Sequence, residues 1–211
     1  MHKTYPRLKN IRLPVPNITD NRLVLIINNR QSFRDFSSKP IKLEHLSDIL
    51  NYSAGVVRNN PLMKDNPLRA YPSAGAKFPL EMYVLAKNVR GINPGLYHYN
   101  PTGHTLEILS QKISPSSVDK IWIKQQPWFK KASVILIITS IFTRITEKYG
   151  RRGIFFPYIE AGHLGQNVYL LSTMLKIGCC AIGMLHDQPL IDLLDINPRE
   201  EYPIYYFALG T

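Results

Sequence analysis

The run Val134-Ile135-Leu136-Ile137-Ile138 is apolar at every position and β-branched at all but Leu136. A strand with one wet face would alternate apolar and polar side chains. An unbroken run is expected of a central strand buried on both faces. The rest of the chain must then supply neighbouring strands and cover for both sides. At 211 residues there is material for this in one ordinary domain. A chain of this length buries roughly 70% of its extended surface. An apolar fraction of 45% excludes a disordered or collagen-like chain.

The flanking segments read as a mixture of helices and strands. Residues 1–20 are rich in Pro, Asn and basic groups and read as an extended N-terminal arm, with 21–211 as a single domain. Leu23, Val24, Ile26 and Ile27 predict a first helix before the polar stretch 28–34. Leu43, Leu46, Ile49 and Leu50 share a helical face, and Gly55 ends that helix. Leu80–Ala86 predicts a strand, and Leu96–Tyr99 with Leu106–Leu109 a hairpin across the turn 101–104. Ser114 and Pro115 suit N-cap and N1 of a short helix through Ile123. Leu164, Val168, Leu171 and Leu175 predict the main core helix over 158–177, with Gly178 at C′. Asp187 caps a helix through Leu194, and Ile204–Leu209 is a last strand. Helices come first and then strands and helices mixed, without βαβ alternation, so the fold class is α+β.

Charge and cysteines narrow the setting. Lys and Arg outnumber Asp and Glu by 26 to 15, which suggests an anionic partner without choosing one. The basic residues are dispersed, and no zinc finger or RNA-recognition signature accompanies them, so nucleic acid is not the expected partner. The only cysteines, Cys179 and Cys180, are adjacent and cannot staple distant segments. No metal site is expected. A reducing, cytoplasmic setting is the simplest expectation. The N-terminus has no apolar signal region. The longest apolar stretch, 132–142, falls short of the ~20 residues of a membrane helix, so no membrane partner is expected.

Five segments could carry chemistry. Arg30-Gln31-Ser32-Phe33-Arg34 sets two guanidiniums four residues apart, on one face of a helix or its end, where they could hold a phosphate. Pro72-Ser73-Ala74-Gly75-Ala76-Lys77-Phe78-Pro79 is a loop of small residues that a flat ligand could approach closely. It lacks Walker A spacing. Lys148-Tyr149-Gly150-Arg151-Arg152 reads as a basic loop. Its Lys and Tyr could act as acid or base if burial or neighbours moved their pKa values toward neutrality. Gly162-His163-Leu164-Gly165-Gln166-Asn167 reads as a core-helix segment with a satisfied buried histidine. Gly178-Cys179-Cys180-Ala181-Ile182-Gly183-Met184 reads as a helix-to-strand connection that could offer backbone N–H groups to a ring. Taken singly, each is as well explained by an ordinary surface or core role.

Their order is more specific. Ile11-Arg12-Leu13-Pro14, then Arg30-Gln31-Ser32-Phe33-Arg34-Asp35-Phe36, then Ser53-Ala54-Gly55-Val56 resembles the opening of nitroreductase-like flavoproteins. The stretches 72–81, 94–99 and 160–167 resemble their SagB-type (McbC-like) dehydrogenase branch. The resemblance runs from about residue 11 to the end.

That resemblance implies a mixed, mostly antiparallel sheet flanked by helices, in an intertwined homodimer with FMN at the interface. Arg30, Gln31, Ser32 and Arg34 would bind the cofactor's phosphate, ribityl chain and pyrimidine edge, although Gln31 stands where relatives usually carry a second Arg. Pro72, Ser73, Ala74 and Gly75 would approach the flavin from the partner subunit, and Ile182 and Gly183 would line its ring. Lys148-Tyr149 matches the catalytic pair of azoline dehydrogenases, which oxidise thiazoline or oxazoline rings in ribosomally made peptides to azoles. One of the pair would take the acidic ring proton and FMN N5 the hydride. A cyclodehydratase would be the partner that makes the ring. The alternative on the same fold is a general NAD(P)H-dependent nitro- or quinone-reductase.

Overall fold

The computed structural model describes residues 3, 5–18, 21–60, 67–122 and 127–211. Helix α1 (Arg22–Asn29), strand β1 (Ile41–Lys42) and helix α2 (Leu43–Ala54) open the fold. Strands β2 (Val56–Arg58), β3 (Leu68–Arg69), β4 (Leu80–Ala86), β5 (Val89–Arg90), β6 (Gly95–Asn100) and β7 (Thr105–Ser110) follow, then helix α3 (Pro115–Lys120). Strand β8 (Val134–Ile141), helices α4 (Thr143–Tyr149) and α5 (Phe156–Met174), strand β9 (Gly178–Ile182), helix α6 (Asp187–Leu194) and strand β10 (Glu201–Gly210) complete it.

Six strands form one sheet in the order β7-β6-β4-β8-β10-β9. All of its pairings are antiparallel, and the parallel β1–β5 pair stands apart. The run in β8 lies inside this sheet and divides by parity. Val134, Leu136 and Ile138 enter a core with Leu46, Ile49 and Leu50 of α2 and Leu164 and Val168 of α5. Ile135 and Ile137 enter a second core with Phe36 and with Leu190 and Leu194 of α6. Each side chain fully buried in this way contributes about 1.5–3 kcal/mol. Helices therefore cover both faces of an antiparallel sheet, which is the α+β arrangement expected.

Several local expectations need correction. Segment 143–149 is a helix, α4, and its last turn carries Lys148 and Tyr149. Residues 178–182 are an edge strand, because Gly178 through Ile182 pair with Gly210 through Tyr206 of β10. Gly178 does not cap α5. That helix closes at Leu175, and the left-handed residue beyond it is Lys176 with φ 56°. Gly178 is small for another reason, since a Cβ there would run into the Phe33 ring. The N-cap of α6 is His186 rather than Asp187, which is the first helical residue. Helix α3 ends at Lys120, and the expected end at Ile123 lies outside the described residues.

The largest correction concerns α5. Its buried residues, among them Pro157, Glu160, Ala161, Leu164, Gly165, Val168 and Tyr169, form one face. His163 and Gln166 are exposed, as are the apolar Tyr158 and Ile159. The expected buried histidine is therefore on the surface of this chain, whereas Leu164, Val168, Leu171 and Leu175 pack on the core as expected. Residues 5–18 carry no helix or strand and are exposed throughout. No described helix is long and apolar enough to cross a membrane.

Candidate active site

Two clusters flank the buried face of α5, one at each end. The first grows from the segment that follows α1. Arg30 caps that helix with φ −61° and ψ 123°, so the chain leaves in an extended form. Arg30 thus stands at the end of that helix, and Ser32 and Arg34 follow in the irregular segment 31–37. Phe33 packs against Phe36 and ties the segment to β9 through its N–H to Cys179 O at 2.8 Å.

Tyr169 of α5 organises this cluster. Its hydroxyl accepts the Ala181 N–H at 2.7 Å and shares a hydrogen bond with Ser32 Oγ at 2.9 Å. The Arg30 guanidinium lies 5.2 Å from the centre of the Tyr169 ring. Arg34 reaches the Ser32 carbonyl at 3.4 Å and lies over Trp128 at 5.8 Å. Among the described residues, neither guanidinium is paired with a carboxylate. Two oriented, unneutralised guanidiniums fit a phosphate. Gly183, just past the end of β9, has nothing within 4 Å of a Cβ built on it, which leaves room for a planar ring. The donor set and this open edge fit FMN. Gln31 is exposed beside them. The Ile182 side chain is buried in the second core, so a ligand could meet this residue only through its backbone.

The second cluster is the loop 72–79 with the end of α4. Pro72 is exposed, and Ser73 begins a tight turn. Gly75 (φ 62°), Ala76 (φ 52°) and Phe78 (φ 45°) all have left-handed backbone, a conformation that costs a non-glycine residue roughly 1–2 kcal/mol. Side chains around the loop hold it there. Glu160 Oε1 accepts from Ser73 Oγ at 2.9 Å and from Ala74 N–H at 3.0 Å, while Ser73 Oγ accepts from Phe78 N–H at 2.8 Å. Asn167 donates to Ala70 O at 3.2 Å and Arg144 to Phe78 O at 3.3 Å. The Gly75 apex meets the Lys148-Tyr149 pair: a Cβ there would stand 2.8 Å from Tyr149 Oη and 2.9 Å from Lys148 Nζ. Lys148 Nζ lies 5.3 Å from the centre of the Tyr149 ring. Lys148 is exposed and Tyr149 half-buried, so this chain alone does not supply the burial expected of a base.

Electrostatics separate the clusters further. Glu160 is 3% exposed, and burial pushes its carboxyl pKa up, against the pull of the Ala74 and Ser73 bonds. Its Oε2 has no partner among the described residues. Arg144, one helical turn before Lys148 on α4, also pairs with Glu81 at 2.5 Å. Glu81 in turn holds His98 at 3.0 Å, and Glu107 holds the other ring nitrogen at 2.9 Å. The bond to Glu81 is the main cause that raises the His98 pKa. Burial works to raise the Glu81 pKa, but the His98 and Arg144 contacts outweigh it and leave the carboxyl below its usual range.

Sequence reasoning located the first cluster's cations, the loop and the Lys-Tyr pair. It missed their supports, Tyr169, Glu160, Arg144 and Glu81. Only Arg144 carried a local signal, its spacing of four from Lys148.

The model of the nitroreductase family matches residues 27–211. A protein of Methanocaldococcus jannaschii designated a nitroreductase is 32% identical over 201 residues, 95% of this chain and 96% of that one. The microcin B17-processing protein McbC of Escherichia coli is 28% identical over 146 residues, 67% of this chain and 54% of McbC. The trifolitoxin-processing protein TfxB of Rhizobium leguminosarum is 33% identical over 177 residues, 80% of this chain and 47% of TfxB. The chain thus spans about half the length of these two processing proteins.

Solved structures show the same fold. A Ralstonia eutropha protein designated a nitroreductase superposes with TM-score 0.73 at 26% identity, covering 94% of this chain and 87% of that one. A chain of the E. coli microcin synthetase McbBCD complex, solved with truncated pro-MccB17, gives 0.73 at 19% identity, covering 97% and 77%. A Desulfovibrio desulfuricans protein designated a nitroreductase, solved in complex with FMN, gives 0.57 at 15% identity, covering 91% and 87%. The chain belongs to the nitroreductase family, a family of oxidoreductases.

Proposed function

We propose that this FMN-dependent oxidoreductase is a dehydrogenase of the SagB type, which oxidises thiazoline or oxazoline rings in ribosomally made peptides to azoles. The observation that carries the reading is the Lys148-Tyr149 pair packed against the Gly75 apex. An enzyme that only passes hydride from a nicotinamide to an acceptor needs no side chain to remove a carbon-bound proton. The likeness to McbC and TfxB, both named as peptide-processing proteins, supports the same reading.

Arg30 and Arg34 would hold the cofactor's phosphate, and Ser32, oriented by Tyr169, its ribityl chain. Lys148 Nζ or Tyr149 Oη, in its basic form, would take the acidic ring proton of the azoline. FMN, when bound, supplies the acceptor for the hydride that must leave with that proton for the ring to become aromatic. Gly75 would keep both side chains at one height above the loop.

We also infer a homodimer. The exposed apolar residues Leu23, Leu25 and Ile27 of α1 and Tyr158 and Ile159 of α5 need cover. A helix apolar on its outer face is ordinarily buried, and a second copy would cover α5 and shield Lys148. Residues 1–20 would serve as an arm on a single domain. A cyclodehydratase partner and a cytoplasmic setting belong to the same reading.

One observation favours a plain nitro- or quinone-reductase instead. The M. jannaschii relative matches almost the whole chain and is designated a nitroreductase. Anaerobic mixing separates the two. Flavin bleaching by an azoline peptide, lost in Lys148→Ala while FMN stays bound, supports the dehydrogenase. Rapid bleaching by NADH with no response to azoline supports the reductase.

A further inference from the structure

Glu160 is the one buried charged residue among the described residues. It makes no hydrogen bond to Lys148 or Tyr149, and its partners lie at the start of the loop whose apex faces them. Its Oε1 takes two donors from the first residues of the loop, Ser73 Oγ and Ala74 N–H. Ser73 Oγ, having donated to Glu160, accepts from Phe78 N–H and so closes the loop on itself. Between these anchors lie the left-handed residues Gly75 and Ala76, and Phe78 is the third. Ala76 and Phe78 are held there against the intrinsic preference of non-glycine residues. The two bonds to one carboxyl oxygen oppose that preference. The arrangement leaves Oε2 buried and unpartnered among the described residues, a costly state for a carboxyl group.

We propose that Glu160 is a positioning residue: through Ser73 and Ala74 it fixes the Gly75 apex, and the apex sets where Lys148 Nζ and Tyr149 Oη stand. The assignment of a chemical role to that pair rests on the dehydrogenase reading above, but the positioning itself does not. Glutamine keeps an acceptor oxygen in the place of Oε1, whereas alanine removes it. Glu160→Gln should therefore keep the loop closed and Glu160→Ala should open it.

The experiment uses FMN-loaded protein and measures amide hydrogen exchange over residues 73–78 together with the acetylation rate of Lys148 by a trace of acetic anhydride, read by mass spectrometry. In Glu160→Ala, the Ala74 and Phe78 amides should exchange about tenfold faster, the equivalent of one lost hydrogen bond. Lys148 labelling should change several-fold, while exchange in β8 and the flavin spectrum stay as in the native protein. Glu160→Gln should restore both local readouts. If Glu160→Ala does not fold, Ser73→Ala cuts the same link from a half-buried position and should speed exchange at Phe78. Native exchange at 73–78 and native Lys148 labelling in Glu160→Ala, or in Ser73→Ala where it is the variant that folds, would overturn the proposal. Local loosening in a protein that never oxidises an azoline would sink the dehydrogenase reading and leave the positioning role standing.

Discussion

The two ends of α5 are built on opposite principles. Around Tyr169, function is offered by unpaired charge on an open, extended segment. Around Glu160, it is offered by a tight left-handed loop clamped by buried hydrogen bonds. Nine residues separate the two anchors on the helix, roughly 13 Å at the ordinary helical rise. Binding an anion needs cations with freedom to reach it, and a substituted neighbour such as Gln31 is tolerable there. Placing a proton acceptor against a carbon needs fixed geometry, which strain and burial supply. On the proposed reading, one helix carries a soft end for holding and a stiff end for reacting.

Substitutions can test whether the ends are separable. Lys148→Ala should lower azoline turnover by roughly 10²–10⁴-fold, the usual worth of a general base, with FMN affinity unchanged. Kinetics on the flavin-loaded variant would check this, and a comparable loss of flavin would mean the ends are not distinct. Arg30→Ala or Arg34→Ala should act in reverse. Each removes a charge-assisted contact worth about 1.5–3 kcal/mol, so FMN should bind about 10- to 100-fold more weakly, while turnover at saturating FMN is retained. Fluorescence titration of the apoprotein reads that outcome. Gly75→Ala should lower turnover about tenfold, because the added Cβ meets Tyr149 Oη and Lys148 Nζ and the backbone is left-handed there. A flavin titration that shifts as much as turnover would join the two ends again.

The smallest effect concerns stability around the stiff end. His98 has a raised pKa, so its contribution is full below its unfolded pKa and is lost as pH rises through the folded value. Glu81 has a depressed pKa, so its contribution is present above its unfolded pKa and is lost as pH falls through the folded value. Thermal stability should peak between the carboxylate and imidazole ranges. His98→Asn should flatten the alkaline side of the curve; an unchanged curve would remove His98 from the account.

Much of the fold was legible because burial leaves a mark on neighbouring residues. The run 134–138 was expected to be a central strand and is one, and β4, β6, β7 and β10 carried their own apolar patterns. Strand β9 was not legible. Gly178-Cys179-Cys180 lacks β-branched residues, and its pairing partner β10 is distant in sequence. His163 was misread as buried because it lies on the same helix as the core residues Leu164 and Val168, and burial follows the face rather than the helix. At the site, Lys148 and Tyr149 stood out as chemical groups. Glu160 and Tyr169 did not, since their partners, Ser73 and Ser32, lie 87 and 137 residues away in the chain.

If Lys148 and Tyr149, held above Gly75, make this chain an azoline dehydrogenase, anaerobic stopped-flow mixing of the FMN-loaded protein with an azoline-containing peptide should bleach the flavin's visible absorbance as the azole forms. Lys148→Ala should show no such loss, although dithionite still bleaches its flavin. An unchanged rate in Lys148→Ala, or a flavin that bleaches with NADH and never with the peptide, would refute the dehydrogenase reading.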